Sequence, residues 1–454
     1  MNARIARWIG ILSVLTFAAA PVVAQNSLSV ICRCVEGGVN AEMVQWLKGD
    51  VFPAFETLKA EQGDPVALEL VEFGGSDEAL KQQYALDLSV GSGPDILAFD
   101  GFWTPEFVEA GYIQPLDQVA GDQVWEWEGW DHISAGLRSL IGFQGEVYGL
   151  GAGTDVRMIF YRKDLLAEAG LEVPWQPESW EELLSDARQV RDALGIAPIQ
   201  LNAGAAMGEA TTMQGWFMAL LGTGIHMYDF GEGVWIGEDP GILRALELYD
   251  VIYNQDDLGD QRMQLVSQGR EQSFGAFRDG ELAMLVEGDW FWRSVMAPGS
   301  EWEPAAGRNE VVGWARMPAV EPGAGYGGSD FVSISGGTGF ALNPNTADGE
   351  LAWELLSFMF SLDMQVAFQE IQPRIRIRDD VPVTGDPEMS RMAEQLLPVS
   401  TVRPQLPAYA RISEAAQRMT ERVVSGEMSP QQAMEAYADT LESIVGPENV
   451  VRSE

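Results

Sequence analysis

Histidine is scarce in this chain: His132 and His226 are the only two among 454 residues, and neither has a motif partner. There is no glycine-rich phosphate loop ending in lysine, no nucleophile elbow and no helix carrying two histidines at ligand spacing. These residues leave nothing with which to build a histidine general base. The 68 acidic residues form so many pairs that spacing alone neither supports nor excludes a glycosidase-type acid/base couple. Aromatic residues are the informative class. Fifteen tryptophans exceed what a core of this size needs, and several adjoin carboxylates: Asp100-Gly101-Phe102-Trp103, Trp125-Glu126-Trp127-Glu128 and Asp289-Trp290-Phe291-Trp292. Flat indole faces stack on the C–H faces of sugar rings, and carboxylates accept paired hydrogen bonds from vicinal hydroxyls. A tryptophan taken at random packs in a core or anchors a surface. Trp103 and Trp290, each beside an Asp at an expected strand end, are read instead as ligand platforms.

An α/β framework must hold those side chains. Ser27 to Val35 reads as a buried strand, Ala41 to Leu58 as the helix behind it, and Val66 to Glu72 alternates as a second strand. Ser76 or Asp77 caps a helix over Glu78 to Val90, and Pro94 to Phe99 is a third strand. Asp100 follows it, either emerging where strand ends open onto a cleft or capping a helix over Thr104 to Ala110. The alternation restarts with one strand over Gly149 to Phe160. Helices follow over Trp180 to Leu194, with Ser179 and Glu182 as a capping box, Glu209 to Leu221, and Gly241 to Tyr253. Leu282 to Val286 and Val311 to Met317 are further strands, and Gly323 to Gly339 is a Gly-rich return. The tail from Pro404 to Ile444 is mostly helical, Ser429-Pro430 opening its last helix. Alternating strands and helices imply largely parallel sheets, and the length implies two lobes.

Arg4 and Arg7, the apolar run Trp8 to Ala20, and Ala24 before Gln25 have the form of a cleaved signal peptide over residues 1–24. The run is short for a membrane span. Export permits disulfides. Cys32 and Cys34, the only cysteines, are two apart on an expected strand and read as buried thiols or a strained pair; a metal site would need further ligands. Formal net charge is −40, and about −42 without Arg4 and Arg7. A field of that sign repels nucleic acid and anionic lipid. Because the charge is spread along the chain, it suits a solubilising surface.

Four segments carry a family resemblance: Gly93-Pro-Asp-Ile-Leu-Ala-Phe-Asp100 running on to Pro115-Leu-Asp117, Gly145-Glu-Val-Tyr-Gly-Leu150, Phe277-Arg-Asp-Gly-Glu-Leu-Ala-Met-Leu-Val-Glu-Gly-Asp-Trp290, and Thr401-Val-Arg-Pro-Gln-Leu-Pro-Ala-Tyr409. In this order the chain from Ser27 to Glu442 resembles the extracellular solute-binding proteins of carbohydrate ATP-driven (ABC) importers, the group of maltose- and trehalose/maltose-binding proteins. The resemblance implies an α/β, two-lobed periplasmic-binding-protein fold with an interlobe ligand cleft and hinge. Its lobes are expected from residues 25–153 plus 315–360 and 154–314 plus 361–454. It implies a periplasmic receptor that captures a sugar, a di- or oligosaccharide such as an α-glucoside, and hands it to permease subunits. The expected protein is a monomer and not an enzyme, with no cofactor and no metal.

Carried over by position, Asp100 is a hydroxyl acceptor from the first lobe and Asp155 sits at the crossing between lobes. Trp216 and Trp290 are second-lobe stacking platforms, and Arg403 and Tyr409 reach the cleft. Gly336 and Gly337 let the backbone approach the ligand. Gly151 stands where the family has Pro, and Arg157 where it more often has a small or apolar residue. Arg157 is either a ligand contact or a partner for Asp155. The alternatives are an exported carbohydrate-active enzyme and a binding protein for another solute, such as a polyamine.

Overall fold

The structure, a computed structural model, describes residues 26–133, 138–381 and 385–452. The signal peptide expected over residues 1–24 lies outside them. The first lobe is built on a five-stranded sheet in the order Val66–Glu72, Asn26–Cys32, Ile96–Asp100, Gly337–Leu342, Gly149–Thr154. The first three run parallel, as their intervening helices require, while Gly337–Leu342 returns from far downstream, antiparallel to both its neighbours. Register then fixes what matters for function. Thr338 faces Asp100 and Gly337 faces Thr154, so Asp100, Asp155 and Gly336 all leave the sheet at one edge.

Helices cover this sheet because their ends are capped and one stripe of each is apolar. The Ser76 hydroxyl accepts the Ala79 N–H at 3.2 Å and opens Asp77–Ser89; Asp348 does the same for Gly349–Met359, taking the Leu351 N–H at 3.0 Å. Val30, Phe55, Tyr84, Leu97, Phe340 and Leu355 meet in the core between them. Cys32 and Cys34 are both buried at the end of the first strand, joined in a disulfide.

The second lobe has a four-stranded sheet in the order Val312–Ala315, Arg157–Arg162, Met284–Gly288, Ile199–Gln200. The single strand expected over Gly149 to Phe160 is therefore two strands, broken at Asp155-Val156 and divided between the sheets. Both halves are buried, and a run that is apolar through two cores carries no periodicity to mark the break. Gly288 pairs with Arg157, which places Arg157, Asp289 and Trp290 at one end of this sheet. A third small sheet sets Phe331–Ser335 between Met317–Pro318 and Ser400–Val402. There Ser335 pairs with Val402, so Gly336 and Arg403 emerge side by side.

Trp180–Leu194, Pro240–Asp250, Tyr409–Val424 and Pro430–Val445 pack around the second core, where Phe217, Leu246, Val286, Tyr409 and Leu441 are buried. Ser179 caps the first of these, accepting the Glu182 N–H at 3.2 Å, but the Glu182 carboxylate takes the N–H of Glu178 at 2.8 Å and not that of Ser179. The full capping box belongs to the last helix, between Ser429 and Gln432.

Candidate ligand cleft

Three sheet edges meet between the lobes, and each delivers a charged side chain. Asp100 Oδ1 accepts the Phe102 N–H at 3.3 Å and Arg403 Nη2 at 2.7 Å. One carboxylate thus caps a chain turn and pairs with Arg403. The turn it caps is the 3₁₀ turn Gly101–Trp103, not the helix that follows. Arg403 Nη1 reaches Glu209 Oε1 at 3.2 Å, and Glu209 also accepts the Tyr409 hydroxyl and, at 2.6 Å, that of Ser413. The Arg403 guanidinium lies 4.3 Å from the Phe102 ring centroid, and that ring meets Tyr409 edge-on at 5.8 Å.

At the crossing, Asp155 Oδ1 accepts the Gly336 N–H at 2.7 Å and Arg157 Nη1. Arg157 also donates to the Ile334 carbonyl at 3.0 Å, and its guanidinium lies 4.8 Å from the Trp290 ring centroid. Arg157 is therefore the partner of Asp155. A Cβ at Gly336 would stand 3.1 Å from Arg403 Nη2 and 3.4 Å from Asp155 Oδ1, so the missing side chain is what lets the two ion pairs converge. At Gly337 a Cβ would press on Leu140 at 2.9 Å.

Burial dominates the titration of these groups. It pushes the Asp100 carboxyl up to about 6 against the pull of Arg403. It pushes Asp155 up too, but Arg157, the Gly336 N–H, Arg403 and Arg293 outweigh it and hold that carboxyl below its usual range. Arg403 is raised, because Asp100 and Glu209 more than offset its own desolvation. The gap enclosed by Gly101, Phe102, Ser335, Gly336, Arg403 and Gln405 is about 10 Å³, roughly room for one water. Side chains of the two lobes touch directly here, through the Asp100–Arg403 contact.

Residues 40–366 match the family model described as bacterial extracellular solute-binding protein. The chain belongs to that family. Among curated relatives of this solute-binding protein, a Brucella abortus (strain 2308) chain named only as a binding protein is 25% identical over 437 residues, covering 94% of this chain and 98% of the relative. The galactooligosaccharide-binding protein of Bacillus subtilis (strain 168) is 22% identical over 78% of each chain. Among solved structures, an ABC transporter solute-binding protein from Thermotoga lettingae TMO, bound with alpha-D-tagatose, matches with a TM-score of 0.76 at 23% identity, covering 93% of this chain and all of that one. The fold is the two-lobed one of these binding proteins.

Two of the platforms expected in this family member do not face the cleft. Trp103 is 1% exposed and packs among Tyr84, Phe99 and Phe107 in the first core. The four-residue spacing Phe99, Trp103, Phe107 was the available signal: it marks a buried stripe where strand passes into helix. Trp216 is fully buried in the second core, and its setting Trp216-Phe-Met-Ala-Leu-Leu221 is apolar on every side, the mark of an interior helix. In place of Trp103 it is Phe102 that faces the other lobe. Glu209 and Gln405, also at the cleft, had no local signal in the sequence. Of the histidines, His226 is buried and desolvation pushes it down to about 4, so it is neutral. His132 lies 3.0 Å from Asp379, and the adjoining Asp380 is engaged by Arg378 at 2.8 and 2.9 Å.

Trp290 is the expected platform that stays partly open. Arg157 and Arg270 flank its indole at 4.8 and 5.6 Å from the ring centroid, and Arg270 is itself held by Glu287 through bonds of 2.7 and 2.8 Å. A Cβ on Gly288 would lie 2.0 Å from this ring, so a bare backbone seats it. Gly288→Ala should tilt the indole away and weaken ligand binding by about five- to tenfold, the value of one aromatic contact. Titration followed by tryptophan fluorescence measures this; unchanged affinity would mean the indole is not a ligand platform.

Proposed function

We propose that this chain is the exported, periplasmic receptor of an ABC importer, that it captures a sugar between its lobes and presents the closed complex to the permease, and that it does so as a monomer without catalysing a reaction. The signal-peptide form of residues 1–24 supports the localisation. The lobes follow the two cores and not the expected boundaries at 315 and 361: Ala315, Met317, Val332 and Ile334 pack in the second core, and the helix Leu362–Ile371 packs through Phe368 on the first. The observation that carries the reading is the convergence of paired acceptors and donors (Asp100, Asp155 and Glu209 with Arg157 and Arg403) between the lobes, with the Trp290 indole beside Arg157. A hydroxyl both donates and accepts, so a polyhydroxy ligand can satisfy both halves of that set at once. With the guanidiniums pairing the carboxylates, the set suits a neutral polyhydroxy ligand better than a polyamine. The tagatose complex and the galactooligosaccharide receptor among the relatives point to the same ligand chemistry.

A thermal-shift screen over mono-, di- and trisaccharides tests the proposal. A true ligand at a hundred times its dissociation constant adds about 2.7 kcal/mol of stability. No response to any sugar, or turnover of the sugar that binds, would overturn it.

The pH dependence of binding follows from Asp100. As a hydroxyl acceptor it must be ionised, and its carboxyl is pushed up to about 6. Affinity should therefore be level above neutrality and fall by up to about tenfold per pH unit below 6, and Asp100→Asn should flatten the profile. A profile equally steep in the variant would assign the titration to another group.

A further inference from the structure

The guanidinium of Arg270, beside the Trp290 indole, has one nitrogen that no protein group uses. Arg270 stands in the first turn of the helix Gly269–Asp279, its guanidinium 5.6 Å from the Trp290 ring centroid and 5.5 Å from that of Phe274. Nε and Nη2 donate to the two carboxylate oxygens of Glu287 at 2.7 and 2.8 Å. Glu287 is fully buried in the strand Met284–Gly288, while the Arg270 side chain is 28% exposed. Among the described residues Nη1 has no acceptor, yet it is not sealed from solvent as the Nε of Arg157 is. A carboxylate fork and two aromatic rings thus fix a guanidinium whose third nitrogen stays free. Such a donor binds with little loss of side-chain entropy, because its rotamer is already set.

The first lobe stands across from it. Asp77, which begins the helix Asp77–Ser89 of that lobe, is close enough to act on Arg270 and on Asp100 alike. Burial pulls the Arg270 guanidinium down, but Glu287, and after it Glu271 and Asp77, leave it raised. Its charge is balanced by Glu287, as that of Arg157 is by Asp155. The two guanidiniums at the indole therefore offer N–H donors without an excess of positive charge. A sugar hydroxyl or ring oxygen accepts such a bond with no counter-charge. A carboxylate ligand would find no unbalanced cation at this platform.

We infer that Arg270 is a further ligand contact of the cleft and sets its specificity: Nη1 donates to a hydroxyl or ring oxygen of a neutral sugar resting on the Trp290 indole. Arg270 is then more than a support for that ring. The inference rests on the sugar reading of the cleft.

Calorimetric titration of the full chain tests it, with D-glucose, maltose and maltotriose as neutral probes and D-glucuronate as the charged one. At least one neutral sugar should bind wild type saturably, and more tightly than D-glucuronate. Arg270→Met should weaken that sugar by about ten- to a hundredfold. Because this change strands a buried carboxylate, the double variant Arg270→Met with Glu287→Met, in which apolar groups replace the whole pair, is measured beside it and decides if the single variant does not fold by circular dichroism. Repeating the comparison in Trp290→Phe separates contact from support: a contact keeps its effect once the indole is gone, and a prop for the indole loses it. No saturable heat from any neutral sugar would overturn the sugar reading and this inference with it. Sugar binding that is equal in wild type and the Arg270 variants, or an Arg270 effect that vanishes in Trp290→Phe, would overturn the contact and leave the sugar reading standing. D-glucuronate bound more tightly than every neutral sugar would overturn the specificity.

Discussion

Arg403→Met is expected to lower the unfolding free energy by about 3–5 kcal/mol, the cost of leaving buried charge without its partner. The Arg403 side chain is 5% exposed and joins Asp100 of the first lobe to Glu209 of the second at 2.7 and 3.2 Å. Methionine keeps much of the volume and leaves two carboxylates facing each other. The loss should depend on pH in a definite direction. The Asp100 carboxyl is already pushed up to about 6 with Arg403 in place, and removing that cation pushes it higher, so as pH falls one of the two orphaned charges is neutralised and the penalty shrinks, and as pH rises the penalty grows. Arg403→Lys should fall between, since an ammonium keeps the charge but cannot fork between two carboxylates. Urea unfolding at pH 5, 7 and 8 measures all three proteins. A loss under about 1 kcal/mol that does not vary with pH is the signature of an exposed ion pair, and would mean that the lobes do not close on this contact in solution.

Trp290→Ala should weaken sugar binding by about 1–3 kcal/mol, roughly fivefold to 150-fold. Its indole is placed from three directions: the bare backbone of Gly288, the Arg157 guanidinium and the Arg270 guanidinium. Truncation removes the platform and two cation–π contacts together, the latter worth about 0.5–2 kcal/mol each. The empty protein should lose stability as well, so affinity and melting temperature must be read in the same preparation. Trp290→Phe, which keeps a smaller flat face, should recover part of the binding. A folded Trp290→Ala protein with wild-type affinity would remove the indole from the site, and Phe102 would then be the aromatic to test.

Composition and the alternation of strands and helices were enough to expect α/β lobes with no histidine chemistry, and the ordered motifs were enough to expect a solute-binding protein. Strands such as Val66–Glu72 and helices such as Trp180–Leu194 have the bounds that local pattern and caps assign, because a cap or an apolar stripe is decided by residues within a few positions of one another. The cleft is not local in that sense. Asp100 meets Arg403 across 303 positions, Arg403 meets Glu209 across 194, and Gly336 reaches Asp155 across 181. Register between strands decides those meetings, and no window of sequence contains it. The same limit explains the tryptophans. An indole beside an Asp reads alike whether it stays partly open beside Arg157, as Trp290 does, or packs in a core, as Trp103 does. A turn of backbone between strand and helix decides which, and at the Asp100 edge it presents Phe102 to the other lobe and returns Trp103 to the interior. Arg157 shows the remaining case: the residue type left a ligand contact and a partner for Asp155 equally open, and only the crossing at Asp155-Val156, which brings both side chains to the Gly336 backbone, decided for the pair.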